Sequence, residues 1–494
     1  MFETELKFQV PPGQRAALQR AVATASAVTT RLQAVYADTP DRQLAAAGLA
    51  LRLRKEGRVW VQTLKGRGDG LMQRLEHEVA LPPQRGVPVL DAKRHAGTPL
   101  GQQLLALLAG GAPLQAVYRT DIRRLHRRVR HAGALVELAY DRGHILAGER
   151  RLAVDEIEFE LIRGPRAALI DLAQRWSGRF DLWWDCRSKS EQGYRLALGL
   201  LKVPALPAEP SALTPAMDPA QAFAHSLRRA LQQLLPLAAE IATDRCPDSS
   251  QAEPEPLHQL RVALRRLRTM LRVFAAWAPD AQAARALQRD WGAPFAILGL
   301  ARDADVMART LAPALAAAGA PPVVAAAPRP GESPGDVVRA AAFTALLLRT
   351  LALCDAPPAS ASAPAADVSL KQAARVVMRP LWRRVRRDAA DFATAGVAAQ
   401  HRARKRAKQL RYALEALQPL LRHKAGERLL RALRRALEPL GELQDLALAD
   451  AALRSQVMVE SRACLADLAA RRQRALRQAD RALQRLRAKS LVWR

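Results

Sequence analysis

The chain has 494 residues, 77 of them Lys or Arg against 47 Asp or Glu, a formal charge of +30. At ~150 residues per domain this length predicts two to four domains, each able to bury its own core. Four cysteines without ligand spacing (Cys186, Cys246, Cys354, Cys464) exclude a disulfide scaffold and point to a reducing compartment. No apolar run of about 18 residues predicts a membrane span, and the opening MFETELKF lacks the layout of a secretion signal; the expectation is a cytoplasmic protein with no membrane partner. Only 11 of the basic residues are Lys. Arg presents a planar fork that grips phosphate or carboxylate by two bonds at once, so a polyanionic partner fits the composition.

Up to about Lys202 short alternating segments predict strands at Glu3–Phe8, Leu49–Arg54, Val59–Lys65, Arg74–Leu81, Leu135–Tyr140 and Glu156–Ile162, with helices near Gln14–Ala27 and Leu100–Ala109. Strand side chains alternate faces, so Glu3, Glu5 and Lys7 share one face while Leu6 and Phe8 share the other. Glu156, Glu158 and Glu160 repeat the pattern. Arg52 and Arg54, Lys65, and the mixed Arg74, Glu76 and Glu78 carry charge on the middle strands, and Glu137 and Asp141 share a parity. Carboxylates this close repel unless a cation compensates, and oxygen donors suit a hard divalent ion. Acids gather on the first and last strands and cations on the middle ones. That sorting predicts a closed barrel holding a metal on one inner wall and anionic oxygens on the other, its outer face covered.

In this order the elements Glu3-x-Glu5-x-Lys7, Leu51-Arg52-Leu53-Arg54, Thr63-Leu64-Lys65-Gly66, Arg74-x-Glu76-x-Glu78, Glu137…Asp141-x-Gly143, Glu156-x-Glu158-x-Glu160-Leu161 and Ser188-Lys189-x5-Arg195 resemble the CYTH family, the triphosphate tunnel metalloenzymes. The resemblance implies an α+β domain over residues 1–202 built on an eight-stranded antiparallel β-barrel tunnel. Such tunnels bind a triphosphate with a divalent metal, here Mg²⁺ or Mn²⁺. Carried over, Glu3, Glu5 and Glu160 are the metal carboxylates, and these with Lys7 and Glu158 form the catalytic set. Lys7, Arg52, Arg54, Lys65, Arg74, Glu76, Glu78, Lys189 and either Arg123 or Arg124 (Thr120-Asp121-Ile122 favours Arg124) form the substrate grip. Gln192 stands where the family often has a basic residue. Charge building on the leaving bridging oxygen makes such catalysis mostly positioning and electrostatics, with a second metal or a carboxylate base activating water.

A Pro/Ala-rich linker is predicted over 203–219, followed by helices at His225–Ala242, Leu257–Trp277, Ala281–Leu298, Ala340–Leu353, Gln372–Phe392, His401–Leu421, Gly426–Leu437 and Cys464–Lys489. Loops at Gly319–Gly335 and Ala356–Asp367 divide this all-α region into halves, about 220–355 and 368–490.

The halves are a duplication. His258-x2-Arg261-x3-Arg265-x2-Arg268 recurs as His401-x2-Arg404-x3-Lys408-x2-Arg411, and Leu298-Gly299-x2-Arg302-Asp303 as Leu440-Gly441-x2-Gln444-Asp445. Steps of 3, 4 and 3 place the basic side chains in one helical stripe ~15 Å long, opposite an apolar one. Two such ladders suit a chain polyanion. Arg302-Asp303-x-Asp305 reads as an internal salt-bridge cluster. The repeat is similar to the CHAD domain, which implies two pseudo-symmetric four-helix bundles over 220–490 and polyphosphate binding by these eight residues.

The combined expectation is a divalent-metal-dependent inorganic triphosphatase, splitting tripolyphosphate into pyrophosphate and phosphate, whose helical domain binds polyphosphate. Alternatives are a nucleoside or thiamine triphosphatase or adenylate cyclase in the same tunnel, and a non-enzymatic polyphosphate-binding, granule-associated protein. A chain with only 22 Phe, Tyr and Trp argues against base-specific recognition and against a nucleic-acid partner, which calls for stacking platforms.

Overall fold

The computed structural model describes residues 2–68, 71–84, 86–200, 211–243, 254–317, 331–357, 368–455 and 462–491. The chain divides into two compact units, one comprising Met1–Ala205, Leu234–Arg245 and Val338–Ala352, the other Leu206–Gln233, Cys246–Val337 and Leu353–Arg494.

The first unit is built on nine strands: β1 (Phe2–Gln9), β2 (Val28–Asp38), β3 (Ala50–Glu56), β4 (Val59–Gly66), β5 (Gln73–Leu81), β6 (Gln115–His131), β7 (Ala134–Ala147), β8 (Arg150–Arg163) and the two-residue β9 (Trp183–Trp184). They pair in the order β5-β4-β3-β2-β6-β7-β8-β1, and β1 pairs again with β5 to close an eight-stranded antiparallel barrel; β9 adds to β1. The register Glu5↔Glu160, Lys7↔Glu158 and Glu137↔Glu160 puts the charged residues of β1, β7 and β8 on a common face, and that face is the inner one.

The apolar faces point outward and are covered, which is what makes an inward charged face affordable. Leu51 and Leu64 lie under Leu100 and Leu104 of the helix Pro99–Leu108, each fully buried leucine contributing about 1.5–3 kcal/mol. Over β8, the helix Arg166–Phe180 sets Trp176 edge-on to Phe159 at 5.9 Å, and Phe159 meets Phe8 at 5.6 Å. Inside, a smaller apolar cluster of Leu32, Ala34, Tyr36, Tyr118, Ile122 and Ile145 packs against Tyr194 and Leu196 of the helix Lys189–Leu198. Gly193 permits that approach: a Cβ there would stand 2.2 Å from the Tyr118 ring.

Three strands lie outside the six predicted, β2, β6 and the two-residue β9, although the motif Thr120-Asp121-Ile122, which favours Arg124, falls on β6. β6 alternates the buried Tyr118, Thr120 and Ile122 with the outward Arg119, Asp121 and Arg123, but from Arg123 to His131 basic residues fall on both faces and blur the period-2 signal.

The described residues from 211 on form helices and no strand. The main ones are Pro219–Thr243, Pro254–Val273, Ala281–Asp290, Gly292–Val306, Ala341–Asp355, Leu370–Ala390, Val397–Ala416, His423–Ser455 and Arg462–Arg487. The segment expected as one helix over Ala281–Leu298 is two, broken at the buried Trp291 with Pro294 in the first turn of the second helix, where its missing N–H is harmless. Conversely, His423–Ser455 runs past the expected end at Leu437 and through Pro439. One intrahelical bond is lost there, but burial of Leu433, Leu437, Leu440 and Leu443 carries the helix across. Most of the predicted linker and of both predicted loops lies outside the described residues. Among the described residues no helix is long and apolar enough to cross a membrane.

Candidate functional site

The barrel encloses a cavity of about 600 Å³. Its lining contains Glu3, Glu5, Arg52, Arg54, Lys65, Arg74, Glu76, Glu78, Arg124, Glu158, Glu160 and Lys189, all expected from sequence, together with Glu56, Glu137, Asp141, Tyr36, Ser188 and Ser190. Register settles the Arg123/Arg124 choice: Arg124 pairs across to Thr30 and Asp141 on the inner face, while Arg123 is exposed outside. Lys7 departs from expectation. Though on the inner face, it is 2% exposed, lies 3.5 Å from Glu156, donates to the Arg187 carbonyl, and is not part of the lining. Gln192 likewise donates to the Arg187 carbonyl, at 3.3 Å.

Two electrostatic regions face each other. On one side Lys65 bridges Glu3 (3.2 Å) and Glu76 (2.7 Å), Arg52 lies 3.6 Å from both Glu76 and Glu78, and Arg54 lies 3.2 Å from Glu78. Burial by itself lowers the Lys65 ammonium, but Glu3 and Glu76 hold it above its ordinary range. Tyr36 accepts a hydrogen bond from Arg52 Nη1 at 3.2 Å; burial favours its neutral phenol, yet Arg52, Lys65 and Lys189 bring its pKa below the ordinary tyrosine value. On the other side Arg124 holds Asp141 by two bonds (2.7 and 2.6 Å) and Glu158 at 2.5 Å, and Lys189 reaches Asp141, Glu156 and Glu158 at 2.7, 2.5 and 2.8 Å. Against the upward push of burial, Lys189 and Arg124 hold Glu158 well below the usual carboxylate range.

The tightest carboxylate triad, Asp141, Glu156 and Glu158, has metal-ligand spacing, but Lys189, Arg124 and Lys7 already neutralise it. Glu160 differs. Its immediate cross-strand neighbours are Glu5 and Glu137. Burial, with Glu3, Glu137, Glu5 and Glu158, pushes it up to about 7. Burial also raises Glu3, partly offset by Lys65. Glu5 has Arg74 at 2.5 Å. Counted over the lining, nine carboxylates face six Arg and Lys, a formal charge of −3 with the histidines neutral. Glu3, Glu5 and Glu160 supply carboxylate oxygens, the donor type a hard divalent cation takes, whereas among the described residues the group whose ligand atoms lie within metal-binding reach of one another is Asp141, Glu156 and Glu158. Glu137 belongs to the same carboxylate row; its shared parity with Asp141 is the sequence signal that could have placed it there.

In the second unit the helices Pro254–Val273 and Val397–Ala416 carry the two basic ladders. Leu257, Leu260, Leu264, Leu267 and Leu271 bury the opposite stripe of the first. Arg261, Arg265 and Arg268 place their guanidinium carbons 5.0, 5.4 and 5.0 Å from the centroid of Phe295. His401 Nδ1 donates to Gln444 Oε1 at 2.6 Å, and the Arg302–Asp305 pair (3.9 Å) bears out the salt-bridge reading of that stretch. The second repeated motif has a steric role. A Cβ on Gly299 would stand 2.6 Å from Arg261 Nη1, and Gly441 faces Arg404 Nη2 at 4.0 Å, so each glycine leaves room for the leading arginine of its ladder. The ladders also act on one another: burial, then Arg265, Arg404, Arg411 and Arg261, push Lys408 down to about 6. Among the described residues no carboxylate makes an ion pair with Arg261, Arg265, Arg268, Arg404 or Lys408, while Arg411 has Glu415 at 3.6 Å.

Residues 1–179 match the CYTH domain family and residues 226–454 the CHAD domain family. Over 168 residues the chain is 32% identical to the inorganic triphosphatase of Haemophilus influenzae, a match covering 33% of this chain and 44% of that relative, so the chain spans less than half of that protein's length. Among solved structures, the CHAD domain from the plant Ricinus communis is 26% identical, covering 58% of this chain and 98% of that one at a TM-score of 0.42. A putative adenylate cyclase from Bacillus halodurans is 21% identical (38% and 95% covered, TM-score 0.28). A putative adenylyl cyclase from Hippeastrum, described as having a dominant triphosphatase activity, is 16% identical (39% and 95% covered, TM-score 0.29).

Proposed function

Because the chain carries a CYTH domain followed by a CHAD domain, we propose that it is an inorganic triphosphatase: the barrel, residues 1–202, hydrolyses tripolyphosphate to pyrophosphate and phosphate, and the helical domain, residues 220–490, binds polyphosphate. The observation that carries the first half is the convergence in one closed barrel of the carboxylates Glu3, Glu5 and Glu160 with the cations Arg52, Arg54, Lys65, Arg74, Arg124 and Lys189. It supports a site completed by a divalent cation and its phosphates. Glu3, Glu5 and Glu160 would hold Mg²⁺ or Mn²⁺, which when bound supplies charge neutralisation at phosphate oxygens. Arg52, which stands 3.6 Å from Glu76 and Glu78, gains shorter charge-assisted bonds by turning to phosphate oxygens, and Arg54, Lys65 and Arg74 line the same wall. Arg124 and Lys189, fixed by Asp141 and Glu158, face the chain from the opposite wall. Held in this way, the phosphate chain is oriented for in-line attack by water, and the fixed cations stabilise charge developing on the departing oxygen.

Among the described Phe, Tyr and Trp residues, Tyr36 alone belongs to the lining, and its hydroxyl already accepts from Arg52; this favours an inorganic chain over a nucleotide or thiamine ester. The second half of the proposal rests on the ladders, where burial and neighbouring cations lower Arg261, Arg404 and Lys408 although Asp303 and Asp445 act on the first two in the opposite sense. The test is phosphate release from tripolyphosphate, ATP and thiamine triphosphate with Mg²⁺ or Mn²⁺ and with EDTA. Tripolyphosphate should be turned over fastest, and both EDTA and Glu160→Gln should abolish turnover while polyphosphate binding persists. Undiminished turnover in EDTA would refute the metal assignment.

A further inference from the structure

Deepening the polyphosphate reading just given, on which it rests, we propose that Phe295 is a positioning residue that pre-forms the first ladder into an anion-binding comb by gathering three arginines on one ring, whereas among the described residues of the second ladder only Arg411 meets an aromatic ring, that of Tyr412 at 4.6 Å. Three guanidiniums on one helix repel each other and, left alone, splay apart in solvent. Here Arg261, Arg265 and Arg268 converge to within 5.4 Å of one ring, inside the ~6 Å at which an aromatic quadrupole attracts a cation. Arg261 Nη1 also donates to the Phe295 carbonyl at 3.2 Å, and Arg268 Nε to the Gln288 carbonyl at 3.3 Å. These contacts leave the forks in place before an anion arrives, so less side-chain freedom is lost on binding.

The duplication supplies an internal comparison. At the repeat offset of 142 that relates Leu298-Gly299 to Leu440-Gly441, Phe295 corresponds to Leu437, and the offset of 143 relates Arg265 to Lys408. Leu437 is buried at 7% exposure, whereas Phe295 is only half-buried. One ring shared by three arginines therefore occurs in one half, whereas the other has the buried Leu437 at the matching position, a lysine in the ladder, and a single arginine, Arg411, over the buried Tyr412. Phe295 thus keeps part of its ring outside the core, beneath three cations, where a ring that organises them would stand.

The test is Phe295→Leu and Phe295→Tyr in the full chain, titrated with medium-chain inorganic polyphosphate and checked by thermal melting. Phe295→Leu keeps apolar bulk and removes the π face, and it should bind about five- to tenfold more weakly. Phe295→Tyr keeps the face and should stay within about twofold of wild type. The salt dependence of binding should keep its slope in both variants, because the number of phosphate contacts is unchanged. Wild-type affinity in Phe295→Leu, or equal losses in both variants, overturns the positioning role. A wild-type chain that binds no polyphosphate overturns the underlying reading, and this inference with it.

Discussion

Lys408 offers the sharpest test of the helical domain. Its ammonium is pushed down to about 6 by burial and by Arg265, Arg404, Arg411 and Arg261, while burial raises the nearby Asp445 carboxyl although Arg404 and Lys408 pull it down. At pH 7 roughly nine in ten Lys408 side chains are then neutral in the free protein. A polyphosphate laid along the ladders reverses the field, restores the charge and draws in ~0.9 proton per chain at pH 7. Between pH 8 and pH 7 binding should therefore tighten by up to about tenfold, levelling off below pH 6 where the lysine is already charged. Calorimetric titration in two buffers of different ionisation enthalpy measures the uptake directly. Lys408→Met should remove most of the uptake between pH 7 and pH 8 while weakening binding, leaving the smaller share of His258 and His401, whose imidazoles burial holds below their ordinary value. For the fold the sign is opposite: the unfolded chain holds this proton up to about 10.5 and the folded chain only to about 6, so the penalty is greatest at low pH and fades as pH rises. Removing the amine should stabilise the free protein at pH 7 by ~2 kcal/mol after allowance for solvent screening, raising its thermal midpoint by roughly 5 °C. Polyphosphate binding with no net proton uptake, or a Lys408→Met chain less stable than wild type, would refute the reasoning.

In the barrel, Lys189→Met strips the shared cation from Asp141, Glu156 and Glu158; chemical denaturation should show a loss of ~3–5 kcal/mol, and an unchanged midpoint would mean the triad is not held by this lysine. Gly299→Ala and Gly441→Ala should differ although they occupy equivalent repeat positions. The first puts a methyl 2.6 Å from Arg261 Nη1 and should weaken polyphosphate binding about three- to tenfold, while the second finds its nearest guanidinium nitrogen at 4.0 Å and should change it less than about twofold. Equal effects would show that the glycines do not serve to seat the arginines.

Much of the molecule could be read directly from the order of its residues. The alternation Glu3-x-Glu5-x-Lys7 and Glu156-x-Glu158-x-Glu160 located two walls of the barrel, and the matching steps of His258 to Arg268 and His401 to Arg411 exposed the duplication, because face and period are local properties of a strand or a helix. β6 stayed hidden since its basic residues occupy both faces. Trp291 and Pro439 were misjudged because helix ends there are decided by what the neighbouring side chains bury.

What no local pattern could decide was which charges cancel. Asp141, Glu156 and Glu158 look from sequence as exposed to mutual repulsion as Glu160 does. Only the fold brings Lys189, from a helix some 30 residues beyond β8, and Arg124, from β6, against those three, and leaves Glu160 between Glu5 and Glu137. Coulomb energy depends on distance through space and on burial, so the carboxylate still in need of a cation can be identified only in three dimensions.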